Sequence, residues 1–188
     1  MLISTSLRTE RLLLRRYREG DGEMFFELIR RERTRLAESF PVTVSQAPDL
    51  RSAEEHIQHL AAQWYLRKTY AFALLAPDTQ QYLGYLAIKN LNWFHQHGEL
   101  AYFLAAHAEG QGLMREAIGR VVGFAWDELK LNRLYIRAFV HNERSRHLAL
   151  ACGFQEEGVL KEEFRLPDGR YTDVACYGLT RQQFEASR

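Results

Sequence analysis

The chain has little of what marks a secreted, membrane-embedded or nucleic-acid-binding protein. Only two of its 188 residues are cysteine, Cys152 and Cys176. Both lie inside apolar stretches, so no disulfide framework is laid out and a reduced, cytoplasmic protein is expected. The 25 lysines and arginines are offset by 24 aspartates and glutamates, a formal charge of +1. No broad cationic surface follows, and neither nucleic acid nor an anionic membrane is expected as a partner. No apolar run nears the ~20 residues of a membrane span. The opening Met1-Leu2-Ile3-Ser4-Thr5 lacks the basic region and apolar stretch of a secretory signal. With four prolines, no Gly/Ser-rich linker and no internal repeat, there is no domain boundary to place; residues 1–188 read as one domain.

What is present is the composition of an ordinary globular protein, 46% hydrophobic and 26% charged, with period-2 stretches alternating with period-3.6 ones. Residues 11–17 read as a strand. Asp21 is a candidate N-cap for a helix carrying Met24, Phe25, Leu28, Ile29 and Leu36 on one side. Ser52 with Glu55 is a capping-box signature opening a helix with Ile57, Leu60, Ala61, Trp64 and Tyr65 at helical spacing. Strands follow at 70–75, 82–88 and 99–104, then a long amphipathic helix with Met114, Ala117, Ile118, Val121, Val122, Ala125 and Leu129 inward. A strand over 133–140, a short helix capped by Asn142 and closed at Gly153, and a hairpin over 159–179 complete the chain.

The stretch with chemistry in it is strand, glycine-containing loop, helix. The first turn of a helix leaves main-chain N–H groups without partners and favours negative charge there. Gly110 and Gly112 stand where such a turn begins, so Gln111, Gly112, Leu113, Met114 and Arg115 can offer amides to a pyrophosphate. Two glycines before a helix also make a plain strand-to-helix turn. A Walker loop is excluded, since no G-x-x-x-x-G-K-(S/T) occurs, and a dinucleotide fingerprint lacks its third glycine.

Further motifs stand in register with this loop. The run 7–15 resembles an N-terminal strand, and residues 98–104 (G-E-L-A-Y-F-L) resemble an A-E-I-G-Y-W-L strand. Residues 109–117 resemble an acetyl-CoA pyrophosphate loop of the form (R/Q)-x-x-G-x-(G/A). Asn142 with Ser145, then Cys152-Gly153-Phe154, resemble an N-x-x-S … G-F helix. Glu157-Gly158, Tyr171-Thr172-Asp173 and Tyr177-Gly178-Leu179 match a closing hairpin. In this order, from Leu7 to Leu179, the sequence resembles the GNAT acyltransferase superfamily, specifically its RimJ/RimL-like branch. The resemblance implies a single α+β domain: a mixed, mostly antiparallel twisted sheet of about seven strands flanked by four or five helices.

It also implies an acetyl-CoA-dependent N-acetyltransferase acting on a primary amine, a protein N-terminal α-amine of the ribosomal-protein type or a small amine, as a monomer or homodimer. Cofactor contacts then fall on Phe103, Leu104, Gln111, Gly112, Leu113, Met114, Arg115, Asn142 and Ser145, with a strand bulge near Phe103 and Leu104 aiming main-chain donors at the thioester. Three departures stand out. Glu109 replaces the loop's Arg or Gln, and a carboxylate beside a pyrophosphate repels unless it points away. Leu150 takes the place of a tyrosine that protonates the leaving thiolate in many members; Ser145 fits the serine that RimL-like members use instead. The (R/K)-x-x-E glutamate of the closing hairpin falls on Phe164, with Glu162 and Glu163 just before it.

Candidate catalytic groups are therefore Ser145, Glu99 and Glu163, with His141 a weaker candidate base. Each has a plainer reading: a helix-terminal serine bonding its own backbone, a solvated strand-edge carboxylate, a residue of an acidic surface run. The aromatics Trp64, Tyr65, Trp93 and Phe94 either line an acceptor cleft or pack the core. His95 and His97 suggest a metal, but no carboxylate or cysteine completes a ligand set, and no metal is expected. The competing functional reading is a non-catalytic module of the same fold that binds acyl-CoA or a protein partner.

Overall fold

Apolar residues two apart in the strands and three or four apart in the helices build two cores, one on each face of a single sheet. The computed structural model describes residues 3–186; the first two residues of the opening segment and the last two of the chain lie outside that span. The elements are β1 (Ser6–Arg8), β2 (Leu13–Arg16), α1 (Gly22–Ala37), α2 (Pro41–Ser45), α3 (Leu50–Tyr65), β3 (Tyr70–Leu75), β4 (Tyr82–Asn92) and β5 (His97–Leu104). After a 3-10 turn (Ala106–Ala108) come α4 (Leu113–Asp127), β6 (Arg133–Phe139), α5 (Glu143–Ala151), β7 (Gln155–Arg165), β8 (Tyr171–Thr180) and α6 (Arg181–Ala186). The sheet order is β1-β2-β3-β4-β5-β6-β8-β7, antiparallel throughout except between β5 and β6.

This is the expected α+β architecture with one more strand. Residues 7–15 do not form one strand, because Thr9 and Leu12 close a turn in which Leu12 N–H donates to Thr9 Oγ1 at 3.0 Å. The unexpected helices are the shortest ones, α2 and α6, below the length at which periodicity speaks.

Strand parity sorts the cores. Tyr70, Phe72 and Leu74 of β3 and Leu100 and Leu104 of β5 face α4, where Trp64, Tyr70, Phe72 and Phe124 meet edge to face at 5.0–5.7 Å. Ala71, Ala73 and Phe103 face α1 and α3 with Phe25, Leu28, Ile29 and Ile57. Burying each large side chain is worth roughly 1.5–3 kcal/mol, and all the inward positions read for α4 are buried. Two capping assignments change. Asp21 sits at the N-cap of α1, but its carboxylate is taken by Arg15, at 2.6 and 2.8 Å, and by Arg18 N–H at 2.7 Å. Helix α3 starts earlier than expected, capped by Asp49, whose Oδ1 accepts from Ser52 N–H at 2.8 Å; Glu55 pairs with Arg51 instead. Tyr65 lies outside the buried stripe, 70% exposed beneath the Arg16 guanidinium.

Parallel neighbours need a crossover, and α4 supplies it between β5 and β6. The two strands pair only from His97↔Arg133 to Leu100↔Ile136. Beyond that Ala101–Leu104 stays with β4 while Arg137–Phe139 stays with β8, so the sheet splits toward the C-terminal ends of β5 and β6. Among the described residues no helix is long and apolar enough to cross a membrane.

Candidate active site

The split opens into two adjoining cavities. The larger, about 1050 Å³, lies against the start of α4 and the first turn of α5. Gly110 and Gly112 have φ of +73° and +77°, a left-handed backbone that side chains disfavour. A Cβ on Gly110 would meet nothing within 4 Å, so the loop surface is open to a ligand. Among the described residues no hydrogen-bond acceptor is found for the main-chain N–H groups of residues 110–115; the first helical bond runs from Glu116 N–H to Gly112 O. A row of unpaired amides at a helix start, with Arg115 on its first turn and lining the cavity, is built for a polyanion.

Two groups brace this loop. Arg11 donates to Gln111 O at 2.9 Å and pairs with Glu116 at 2.7 Å. Glu109, the residue that departs from the expected motif, lines the same cavity and has its carboxylate held by two arginines. One oxygen meets Arg35 at 2.5 Å and the other Arg144 at 2.7 Å. Arg35 also answers Glu32 at 2.7 Å, so two arginines balance two carboxylates and the Glu109 charge is neutralised within the group, which lessens the repulsion expected of a carboxylate beside phosphate.

The smaller cavity, about 290 Å³, is roofed by Phe40, Pro41 and Val42 and walled by Phe139 and Phe164. Both candidate carboxylates line it. Glu99 is only 4% exposed, and a buried carboxylate needs partners. Asn90 Nδ2 donates to it at 2.7 Å, with Lys89 Nζ at 3.5 Å and Arg137 Nε at 3.4 Å. Arg137 reaches on to Glu163 at 3.1 Å, tying the two carboxylates together. Glu163 owes its position to a bulge: the β7–β8 register shifts between Leu160 and Phe164. Within it Glu162 has φ +52° and is held by its N–H to Asp173 at 2.9 Å. That shift is the slack that brings Glu163, rather than Phe164, beside Arg137.

The cavities share Ser39, Phe40, Tyr102, Asn142 and Ser145. Asn142 caps α5, accepting from Ser145 N–H at 3.1 Å and donating to Ser39 Oγ at 3.0 Å. Ser145 Oγ is thus free of capping duty and meets Tyr102 Oη at 3.1 Å. Main-chain donors also reach this place, though by a different route from the one expected. The β4–β5 register is continuous from Lys89↔Glu99 to Gly84↔Leu104, so no bulge stands at Phe103 and Leu104. Ala105 N–H donates to Leu83 O at 2.8 Å, which fixes the alternation. Phe103 N–H faces β4, whereas the N–H groups of Tyr102 and Leu104 face the gap that β6 has left. Leu104 O is taken by Arg35 at 2.7 Å.

Phe103, Leu104, Gly112, Leu113, Met114, Arg115, Asn142 and Ser145 therefore line the larger cavity, and Glu99, Glu163 and Ser145 the smaller. Gln111 folds its side chain back onto His107 O at 2.8 Å, leaving only its amide to the loop. His141 lines the larger cavity, away from both carboxylates. Trp64 is core, and Trp93 and Phe94 belong to the far β4–β5 turn, where Trp93 stacks on Arg67. None of these aromatics lines the cleft, and neither does α3; α1 reaches it only through Arg35 and Leu36. Burial pushes the Cys152 thiol up to about 11, keeping it protonated and inert. Among the described residues no three metal-ligating side chains come together. Sequence reading missed Tyr102, Arg137, Ser39 and the Arg35–Glu109–Arg144 group. Tyr102, Glu109 and Arg144 stood inside recognised motifs, but nothing local marked the Tyr102 hydroxyl or the pairing of Glu109 with its two arginines.

Residues 11–155 match the Acetyltransferase (GNAT) domain family, and the chain belongs to that family of N-acetyltransferases. It is 28% identical over 184 residues to "Putative ribosomal N-acetyltransferase YdaF" of Bacillus subtilis (strain 168), covering 95% of this chain and 96% of that one. Over 101 residues it is 36% identical to the spermidine N(1)-acetyltransferase of Vibrio cholerae (serotype O1, strain El Tor Inaba N16961), covering 53% of this chain and 58% of the relative. Its fold superposes on RimL, the ribosomal L7/L12 alpha-N-protein acetyltransferase crystallised with coenzyme A, with a TM-score of 0.85 at 19% identity; the match covers 92% of this chain and 95% of that one.

Proposed function

We propose that this acetyltransferase moves an acetyl group from acetyl-CoA to a protein N-terminal α-amine, by direct attack while both substrates are bound. The observation that carries the reading is the junction: a cavity floored by unpaired amides and a cavity holding two carboxylates meet at Ser145. In this reading the amides of 110–115 hold the pyrophosphate, and Phe103, Leu104 and Asn142 flank the pantetheine arm. The N–H groups of Tyr102 and Leu104 face the charge that builds on the thioester oxygen; one such donor is worth roughly 3 kcal/mol. Glu163 and Glu99 receive the proton the amine gives up, and Ser145 Oγ–H faces the leaving sulfur.

The charge balance of the acceptor cavity favours an α-amine over a polyamine. Lys89 and Arg137 already answer Glu99 and Glu163, and the remaining walls are largely apolar. No unpaired carboxylate waits for a second ammonium, which would be desolvated without a partner. An α-amine has a pKa of ~8 against ~10.4 for lysine and needs less help to deprotonate.

The test is thiol release from acetyl-CoA with peptides bearing free α-amines, with spermidine, and with a peptide whose only amine is a lysine side chain. The free-α-amine peptides are expected to turn over best, with kcat/KM rising with pH to a plateau near ~8 as the amine loses its proton. Preference for spermidine would overturn the acceptor assignment, and cofactor binding without turnover on any amine would make the chain a binding module.

A further inference from the structure

Tyr102 is 7% exposed and its hydroxyl lies at the junction of the cavities, 3.1 Å from Ser145 Oγ and 3.4 Å from Ser145 O. Each of the two hydroxyls has one hydrogen to give and can accept others, so only two arrangements exist. In one, Ser145 donates to Tyr102 Oη and Tyr102 donates to the more distant carbonyl. In the other, Tyr102 donates to Ser145 Oγ, and the Ser145 hydrogen, with no acceptor among the described residues, is left to the junction. Asn142 already serves the Ser145 N–H, so nothing in the cap favours the first arrangement. Burial holds the Tyr102 phenol well above its ordinary range, and it remains a donor across any practical assay pH.

We infer that Tyr102 is a positioning residue for acetyl transfer: its hydroxyl spends its hydrogen on Ser145 Oγ and so directs the Ser145 hydrogen to the leaving sulfur. When the bond from nitrogen to the acetyl carbon forms and the carbon–sulfur bond breaks, the electron pair stays on sulfur. There it is met by the Ser145 O–H, while the proton released by nitrogen goes to the carboxylate side of the cleft. The inference rests on the reading of Ser145 given above.

Tyr102→Phe keeps the ring and removes only the hydroxyl, and its fold is checked by thermal unfolding. Steady-state rates are compared for Tyr102→Phe, Ser145→Ala and the double variant. Losing one such hydrogen bond is expected to lower kcat about tenfold, with the KM for acetyl-CoA within about twofold of the parent protein. Because Tyr102 acts through Ser145, the double variant is expected to be no slower than Ser145→Ala alone. A merely structural tyrosine would move KM and stability and would multiply with Ser145→Ala. Multiplying losses, or a Tyr102→Phe kcat within about twofold of the parent beside a slow Ser145→Ala, would overturn the inference. A Ser145→Ala enzyme at full speed would instead overturn the reading of Ser145 itself, and the role of Tyr102 with it.

Discussion

The two halves of the cleft are made of different materials. In the proposed reading the cofactor half is main chain: amides of 110–115 freed by two glycines and a helix start. The proposed acceptor half is side chain: Glu99, Arg137 and Glu163, brought from β5, β6 and β7 and fastened to one another. A backbone site tolerates changes in the side chains around it and fails when the backbone surface is blocked. A side-chain site is set by its charge count, so single substitutions there act on rate and acceptor choice.

The largest effect is therefore expected at Gly112. Gly112→Asp sets a carboxylate among the amides, and two unit charges 4 Å apart at an effective dielectric of 20 repel by about 4 kcal/mol. Calorimetric affinity for acetyl-CoA should fall by about 100-fold or more. The left-handed backbone adds roughly 1–2 kcal/mol of folding cost, visible in chemical denaturation. Unchanged affinity would remove the loop from the cofactor site.

Next come the carboxylates. Glu163→Gln is expected to lower kcat by roughly 10²-fold with little change in unfolding, since its side chain is 40% exposed. Glu99→Gln should lower the rate and also cost about 1–3 kcal/mol of stability, because it leaves Lys89 Nζ without a charge partner and weakens a buried network. Equal unfolding midpoints for the two variants would break the distinction between a buried anchor and an accessible base.

The smallest effect belongs to the loop brace. Arg144 is 85% exposed where it meets Glu109, and exposed pairs are worth only ~0–1 kcal/mol. Arg144→Ala should shift the KM for acetyl-CoA by no more than about threefold. Glu109→Gln keeps the amide surface intact and should do no more harm. A larger loss would mean that the cofactor is held by side chains after all.

This division also explains what the sequence could and could not reveal. The cofactor half is local: Gly110, Gly112 and the inward face of α4 lie within one stretch, and their spacing carries their structure. The long helices and central strands were legible for the same reason. The acceptor half is assembled by register. Glu99 meets Arg137 only because β5 and β6 run parallel, and Glu163 meets it only because a bulge follows Leu160; neither pairing has a local signature. Glu109 looked like a fault in the loop until α1 and α5 brought Arg35 and Arg144 to it. The α3 cap was misplaced by three residues because Asp49 and Ser52 are both good caps, and tertiary packing chose between them.

The most direct test of the account is a crystal structure with coenzyme A bound. It predicts the pyrophosphate on the amides of residues 110–115 and the sulfur within ~3.5 Å of Ser145 Oγ, at hydrogen-bond reach. A cofactor bound with that corner empty, or with the Glu109 carboxylate lying across the amides, would contradict it.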